Sequence, residues 1–150
     1  MKNNSIGRAV AFSMLACIAT STASASARCV PEVRDGWIRL TPGGMGMLAG
    51  YARVVNPCPS EAALIRADSK AFADTSMHES RLENGISHMR AVPMVRIAPN
   101  TAVDFKPGGL HLMLMQPTFA PKAGDQVPID FSLRDGRRIT GKFTVRAAMP

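Results

Sequence analysis

The stretch "VPIDFSLRDG" (Val127–Gly136) decides the fold class. Apolar residues occupy alternate positions in it, which is the period of a strand with one buried face. Polar residues or proline stand between them. A three-residue loop at 134–136, with Gly136 supplying a positive φ, would close a hairpin in which Phe131 faces Ile139. That register brings the apolar faces of two strands together.

The rest of the chain alternates between turn signals and short runs with strand character. The turns are TPGGMG, NPCPS, ENG, APN, KPGG and APKAGD, and the runs include GWIRL, GYARVV, TAVDF, HLMLM and GKFTV. One segment, SEAALIRADSKAFAD, has a helix-like composition, but we do not assign a helix to it. Strands this short and this evenly spaced are typical of an all-β domain, folded as an antiparallel sandwich or barrel.

Residues 1–27 have the order of a secretory signal peptide. Two basic residues precede an apolar run at 9–19, and small residues follow it. The run is too short to span a bilayer. Cleavage after Ala25 and cleavage after Ala27 fit the pattern equally well. We therefore expect a protein exported to the periplasm, with residues 28–150 forming one domain.

The exported part is predicted to be soluble and basic. Cys17 follows Met-Leu-Ala, which is a poor lipoprotein motif, so we expect no lipid anchor there. Of 18 Lys and Arg residues, Lys2 and Arg8 belong to the signal peptide, and the other 16 against 11 acidic residues give a net charge of +5. These bases are scattered, so we expect no nucleic-acid partner. The charge can steer the protein towards an acidic partner or an anionic membrane surface.

Two cysteines remain in the exported part, Cys29 and Cys58. Outside the cytoplasm such a pair most often forms a disulfide. Their spacing is not the Cys-x-x-Cys of a thiol oxidoreductase. We predict a structural bridge that closes a loop of about 30 residues and stabilises the fold by about 3.5 kcal/mol in the chain-entropy estimate.

The stretch "GGLHLMLMQP" (Gly108–Pro117) carries an unusual strand face. If the stretch is extended, its two central leucines form an ordinary core face. The opposite face then carries His111, Met113 and Met115 in place of the usual polar residues. Two interpretations stay open for this stretch alone: methionine packing at the mouth of a barrel with hydrogen-bonded histidine, and a site for a soft metal ion.

A second histidine–methionine pair follows from "MHESRLENGISHMRA", in which Asn84-Gly85 is a strong two-residue hairpin signal. In that register Ser80 lies opposite Met89, and His78 is a diagonal neighbour of Met89 on the same face. A three-residue loop at 83–85 would separate His78 from Met89 and mix charged residues into both faces. We therefore prefer the two-residue turn.

Together the two pairs make a soft and neutral ligand set: His78, Met89, His111 and Met113. Thioether sulfur holds Zn²⁺, Mg²⁺ or Ca²⁺ poorly and suits Cu(I), and imidazole completes the coordination. Four neutral ligands leave the ion its single positive charge, which disfavours Cu(II). The residues themselves therefore predict a Cu(I) site.

The spacing of these four residues is similar to the signature of the PCuAC family of periplasmic copper chaperones, His-x10-Met-x21-His-x-Met. All four positions match, and the flanking MHE, ENG and KPGGLHLMLM, with DGWIRLTP and AGY upstream, also resemble the family. The resemblance implies a cupredoxin-like β-barrel that binds one Cu(I). It further implies delivery by ligand exchange towards the CuA centre of cytochrome c oxidase, either to the oxidase subunit itself or through an intermediate copper chaperone.

Three further methionines are candidate auxiliary contacts of the metal, two in the glycine-rich GGMGM and one on the His-Met strand: Met45, Met47 and Met115. Met77 falls on the other strand face, where we expect packing. We expect His88 to be solvated among charged residues, and Trp37 to be part of the core.

Two other functional classes stay open. A blue-copper electron carrier needs a thiolate in a His₂Cys site, and no cysteine follows Cys58. A copper-independent interaction domain on the same β scaffold is the other alternative. We predict no enzyme, because the chain has no paired-carboxylate, Ser-His-Asp or His-Glu-x-x-His arrangement.

Overall fold

The computed structural model of the protein describes residues 29–41 and 46–147, and this part of the chain contains ten strands and no helix. The strands are β1 (Glu32–Leu40), β2 (Met47–Asn56), β3 (Ala62–Asp68), β4 (Phe72–Glu83), β5 (Ile86–Ala91), β6 (Val95–Ile97), β7 (Thr101–Phe105), β8 (Leu110–Pro117), β9 (Gln126–Leu133) and β10 (Arg138–Ala147). The all-β prediction is confirmed. The predicted signal peptide lies outside the described residues, and none of the elements described is a helix that could cross a membrane.

The ten strands form one sheet in the order β5-β4-β8-β2-β1-β10-β9-β3-β6, with β7 also paired to β2. The sheet is not closed. Neighbouring strands are antiparallel, as predicted for most of the sheet, and the one exception among the described pairs is β1 with β10, which are parallel. These two strands start at the same end of the molecule, where the Arg137 side chain donates to the Cys29 carbonyl.

The inner face of the sheet wraps a single hydrophobic core. The predicted β9–β10 hairpin is confirmed, because Phe131 is the register partner of Ile139 and Gly136 has a φ of 87°. Phe131 is fully buried, and its ring lies 6.1 Å from that of Phe105 on β7. Aromatic rings at this distance add contact energy beyond their buried area.

The segment SEAALIRADSKAFAD (residues 60–74), which has a helix-like composition, forms β3, a tight turn and the start of β4. The turn is stabilised by Ser69, whose hydroxyl donates to the Pro128 carbonyl at 2.8 Å, and by the Phe72 N–H, which donates to the Ser69 carbonyl at 3.3 Å. The alanines that suggested a helix are small core residues of a strand, since Ala62, Ala63 and Ala67 are buried.

A bulge in β1 orients the Trp37 side chain towards the outer face of the sheet. Asp35 has a φ of 53°, and the β1–β2 register shifts between Arg34 and Trp37. Trp37 is only half-buried, so the prediction that it belongs to the core is wrong. The strand period explains this result, because Ile38 takes the core position at 0% exposure and its neighbour must point outwards.

The predicted disulfide between Cys29 and Cys58 is present. It joins Cys29, three residues before the start of β1, to Cys58, two residues after the end of β2. Asn56, which is fully buried, supports the same end of the molecule by donating from its side-chain amide to the carbonyls of Ser60 and Ile97 at 2.9 and 3.1 Å. The bridge therefore lies beside the start of β1, whereas Arg39 lies near the other end of that strand.

Candidate metal centre

The candidate ligands lie on the outer face of β4, β8 and β2. In the β4–β8 register His78 pairs with His111, and in the β2–β8 register Met47 pairs with Met115. Side chains alternate along each strand, so Met113 lies on the same face between His111 and Met115. The opposite face of these strands belongs to the core and carries Met77, Leu112 and Leu114.

The β4–β5 hairpin adds Met89 to this outer face. Ser80 is the register partner of Met89, as predicted from the two-residue turn. Asn84 and Gly85 both have positive φ, 52° and 79°, which is the backbone that such a turn requires. Met89 is 54% exposed and diagonal to His78, so it stands at the open side of the group.

A cleft of about 240 Å³ opens on this face, and three of the four predicted ligands line it: Met89, His111 and Met113. His78 lies beside the cleft, with its ring centroid 6.1 Å from that of His111. Met47, one of the candidate auxiliary contacts, lines the cleft as well. The fold thus brings the four side chains to one face, although Met89 and His111 are far apart along the chain.

His111 is held in one tautomer by the backbone. The ring is 9% exposed, and its Nδ1 lies 2.9 Å from the Gly109 carbonyl oxygen. A carbonyl can only accept, so Nδ1 carries a proton, and in the neutral ring the free lone pair is therefore on Nε2. This is the arrangement of a histidine that is positioned to bind a metal through its other nitrogen.

His78 is held by a hydroxyl on its own strand. The Ser76 hydroxyl donates to Asp74 at 3.3 Å and lies 3.2 Å from Nε2 of His78. Partial burial lowers the pKa of His78 below its ordinary value, the positive charge of His111 lowers the pKa further, and Asp74 opposes both effects. The ring is therefore neutral at pH 7, with one nitrogen available to a metal.

The donor chemistry of the cleft fits a soft ion. Within residues 29–41 and 46–147, no group of three or more His, Cys, Asp or Glu side chains could hold a metal ion. Cys29 and Cys58 are both in the disulfide, so neither offers a thiolate. Imidazole nitrogen and thioether sulfur are what remain, and this set suits Cu(I) better than zinc, magnesium or calcium.

The remaining sequence candidates fall into different environments. Met45 lies outside the described residues. Met115 is half-buried and does not line the cleft, although its register partner Met47 does. Met77 is buried in the core at 5% exposure, which confirms the packing prediction. His88 is exposed on the opposite face of β5 beside Arg81, as expected for a solvated residue.

Three polar residues also line the cleft, and sequence reasoning placed Ser80 opposite Met89 but missed Thr41 and Tyr51. The signal for Tyr51 was present, because in a strand it shares a face with Met47 and Ala49. Tyr51 stacks on Trp37 with 4.5 Å between the ring centroids. The cleft is therefore continuous with an aromatic pair on β1 and β2.

Comparison with known proteins places the chain in a family. The family model described as "Putative lipoprotein LpqE-like" matches residues 31–145. A relative named "Putative lipoprotein Lxx21020", from Leifsonia xyli subsp. xyli, is 29% identical over 106 residues, which are 70% of this chain and 63% of the relative. The chain therefore spans less than two thirds of that relative.

Two solved structures share the fold. The copper-bound PCuAC domain from PmoF2 superposes with a TM-score of 0.65 at 19% identity, over 79% of this chain and 93% of that domain. The solution structure of CuI-DR1885 from Deinococcus radiodurans gives a TM-score of 0.60 at 25% identity, over 81% of this chain and 83% of that one. The prediction of a cupredoxin-like β fold is confirmed, with an open sheet.

Proposed function

The chain belongs to the LpqE-like family, and from this membership together with the outer-face cleft we propose that it is an exported copper chaperone that works in the periplasm. Structural relatives that carry copper on the same fold support the proposal. The relative bound to Cu(I) is 25% identical to this chain, which extends the likeness beyond the fold.

In this proposal one Cu(I) is held by His78, Met89, His111 and Met113. The observation that carries it is that Met89, His111 and Met113 line one cleft while His78 lies directly across from His111. The chemistry agrees, because four neutral donors match a soft monovalent ion and do not compensate the second charge of Cu(II).

Delivery then proceeds by ligand exchange without a catalytic step. Met89 is the most exposed of the four ligands and lies on β5, an edge strand of the sheet. We therefore propose that Met89 is released first when a ligand from the acceptor protein enters. No proton needs to be taken up by a thioether when it leaves the metal. The proposed acceptor is the subunit of cytochrome c oxidase that carries CuA, or a copper chaperone that stands before it.

The test is the Cu(I) affinity of a double variant, measured by competition with a chromogenic chelator under reducing conditions. H111Q/M113L removes one nitrogen and one sulfur donor while keeping side-chain size, and should weaken binding by at least about 100-fold. The matched control H88Q/M115L makes the same chemical changes at residues outside the proposed set and should bind like the native protein. Equal affinities for all three proteins would reject the site.

The electron-carrier alternative has a simple readout. A blue-copper centre requires a cysteine thiolate, and the two cysteines of the described residues form a disulfide. We therefore expect no strong absorption at about 600 nm when Cu(II) is added to the oxidised protein. The appearance of such a band would favour the electron carrier over the chaperone.

A further inference from the structure

Two arginines next to the copper cleft stand on an aromatic platform. Arg39 and Arg146 are direct register partners on the parallel pair β1–β10, and both are exposed. The guanidinium carbon of Arg146 lies 5.6 Å from the centroid of the Trp37 ring, and that of Arg39 lies 5.9 Å from the ring centroids of Trp37 and of Tyr51. We call these four residues the arginine platform: Trp37, Arg39, Tyr51 and Arg146.

The platform has two positive charges that no described acidic side chain neutralises. All 11 Asp and Glu side chains lie in the described part of the chain, and none of them has a carboxylate oxygen within 4.0 Å of a nitrogen of Arg39 or Arg146. The other described arginines all pair with a carboxylate, for example Arg53 with Asp104 at 2.8 Å. Like charges directly opposite each other on a sheet are destabilising. The folded protein therefore carries an unfavourable arrangement here that an external anion would relieve.

The two guanidinium groups of the platform are preorganised to bind such an anion. Stacking on Trp37 and Tyr51 restricts the guanidinium planes, so little rotamer entropy is lost when they bind. Arginine presents a planar fork of donors that matches a carboxylate at two points. Trp, Tyr and Arg are also the residue types that contribute most to protein–protein binding.

The arginine platform lies next to the proposed copper cleft. Tyr51 belongs to the platform and also lines the cleft. Ala49, which is the register partner of Arg39, lines the cleft too. A protein bound to the platform would therefore have its surface over the cleft, which is lined by the half-buried Met113 and the exposed Met89.

We propose that the arginine platform is the docking surface for an acidic copper acceptor, whose carboxylates pair with Arg39 and Arg146 while its metal-binding group reaches the cleft. This inference rests on the proposed chaperone function and adds the chemistry of the partner to it. The net charge of +5 for residues 28–150 favours the same partner, because it attracts acidic surfaces from a distance.

The experiment uses two synthetic acceptors with the same Cys-x-x-Cys copper-binding segment, one flanked by four aspartates and the other by four asparagines. Copper transfer from the loaded protein is followed by stopped-flow under anaerobic conditions. At low salt the acidic peptide should accept copper about ten-fold faster than its neutral twin. At about 0.3 M salt the preference should shrink, because exposed charges are then screened.

The variant R39Q/R146Q should lose the preference for the acidic peptide. The control R96Q/R134Q removes the same charge at the disulfide end of the molecule, where both residues pair with Glu61, and should keep the preference. A preference that survives in R39Q/R146Q, or that is lost equally in both variants, would overturn the proposal. Thermal unfolding should show R39Q/R146Q to be as stable as the native protein or more so, and a marked loss of stability would mean that the platform is structural.

Cu(I) affinity and vesicle binding distinguish a failure of the proposed function, a failure of the docking surface and a membrane role for the platform. Cu(I) affinity by chelator competition should change by less than about twofold in R39Q/R146Q. A native protein that binds no Cu(I) would reject the proposed function, whereas normal affinity without charge discrimination rejects the docking surface alone. Binding to phosphatidylglycerol vesicles through Arg39 and Arg146, together with no discrimination between the peptides, would assign the platform to a membrane and contradict our proposal.

Discussion

At the residue scale, the two histidines of the proposed site differ in how they are held. His111 is nearly buried and donates from Nδ1 to the Gly109 carbonyl, so its free nitrogen has one orientation. His78 is more open and contacts the Ser76 hydroxyl. We therefore regard His111 as the rigid ligand of the site and His78 as the adjustable one.

This difference leads to a prediction for pH. Protonated imidazole cannot bind copper, so protons and Cu(I) compete for His78 and His111. Burial and the charge of His111 hold the pKa of His78 below 6.5, so Cu(I) affinity should be level between pH 7 and 8 and should fall below about pH 6. Chelator competition across this range checks the prediction, and a flat profile from about pH 5 to 8 would count against histidine ligands.

The same lowered pKa predicts the acid sensitivity of the metal-free protein. Between the two pKa values of His78 the unfolded chain binds more protons than the folded protein, so stability rises with pH there. Stability should therefore be lost as the pH falls below 6.5, and H78Q should reduce this loss. The melting temperature, followed by circular dichroism from about pH 7.5 to 5, measures the effect. An identical pH profile in H78Q would show that His78 does not contribute.

At the scale of elements, the hairpins could be predicted from the sequence and the order of strands could not. The Asn84-Gly85 turn and the Gly136 loop define their registers within a few residues, through backbone angles that few residue types adopt. The neighbours of β8, in contrast, are β4 and β2, which lie many residues away in the chain. That pairing depends on packing of the whole core, so the contact between His78 and His111 was not predictable from local patterns.

The four proposed copper ligands illustrate the same limit. The strand face on which each one lies followed from alternation, whereas their assignment to one site depended on their donor chemistry and on the family resemblance. The arginine platform was not anticipated, because its members come from strands that meet only in the folded sheet. Trp37 was assigned to the core because a large aromatic residue usually buries most of its surface.

The β4–β5 hairpin gives a prediction for its turn. Gly85 has a φ of 79°, so G85A forces a side chain into the left-handed region and should cost about 1 kcal/mol or more. Because the hairpin holds Met89, Cu(I) affinity should fall together with stability. The control G46A lies beside the cleft at a position where a Cβ would contact nothing within 4 Å. Urea unfolding and chelator competition measure both effects, and an unchanged affinity in G85A would separate Met89 from the site.

At the scale of the whole molecule, the disulfide and the proposed copper cleft lie at opposite ends of the sheet. The disulfide closes one end beside the start of β1, and the cleft opens beside Ala49 and Met47 on β2. The core between them is continuous. Changes at the disulfide end should therefore alter the free energy of unfolding without altering the ligands.

The prediction is that C29S/C58S loses about 3 to 4 kcal/mol of stability, since the bridge joins residues separated by 29 positions and restricts the unfolded chain. Cu(I) affinity should stay within about threefold of the native value. Urea unfolding of both proteins, followed by chelator competition well below the unfolding transition, makes the comparison. A large loss of affinity in a folded variant would show that the bridge or its thiols contribute to the site.

The most direct test of the central claim is X-ray absorption at the copper edge of the Cu(I)-loaded protein. The account predicts two imidazole nitrogens and two thioether sulfurs around each ion, with one sulfur lost in M89L and none lost in M115L. A native spectrum without sulfur neighbours, or one that M89L and M113L both leave unchanged, would contradict it.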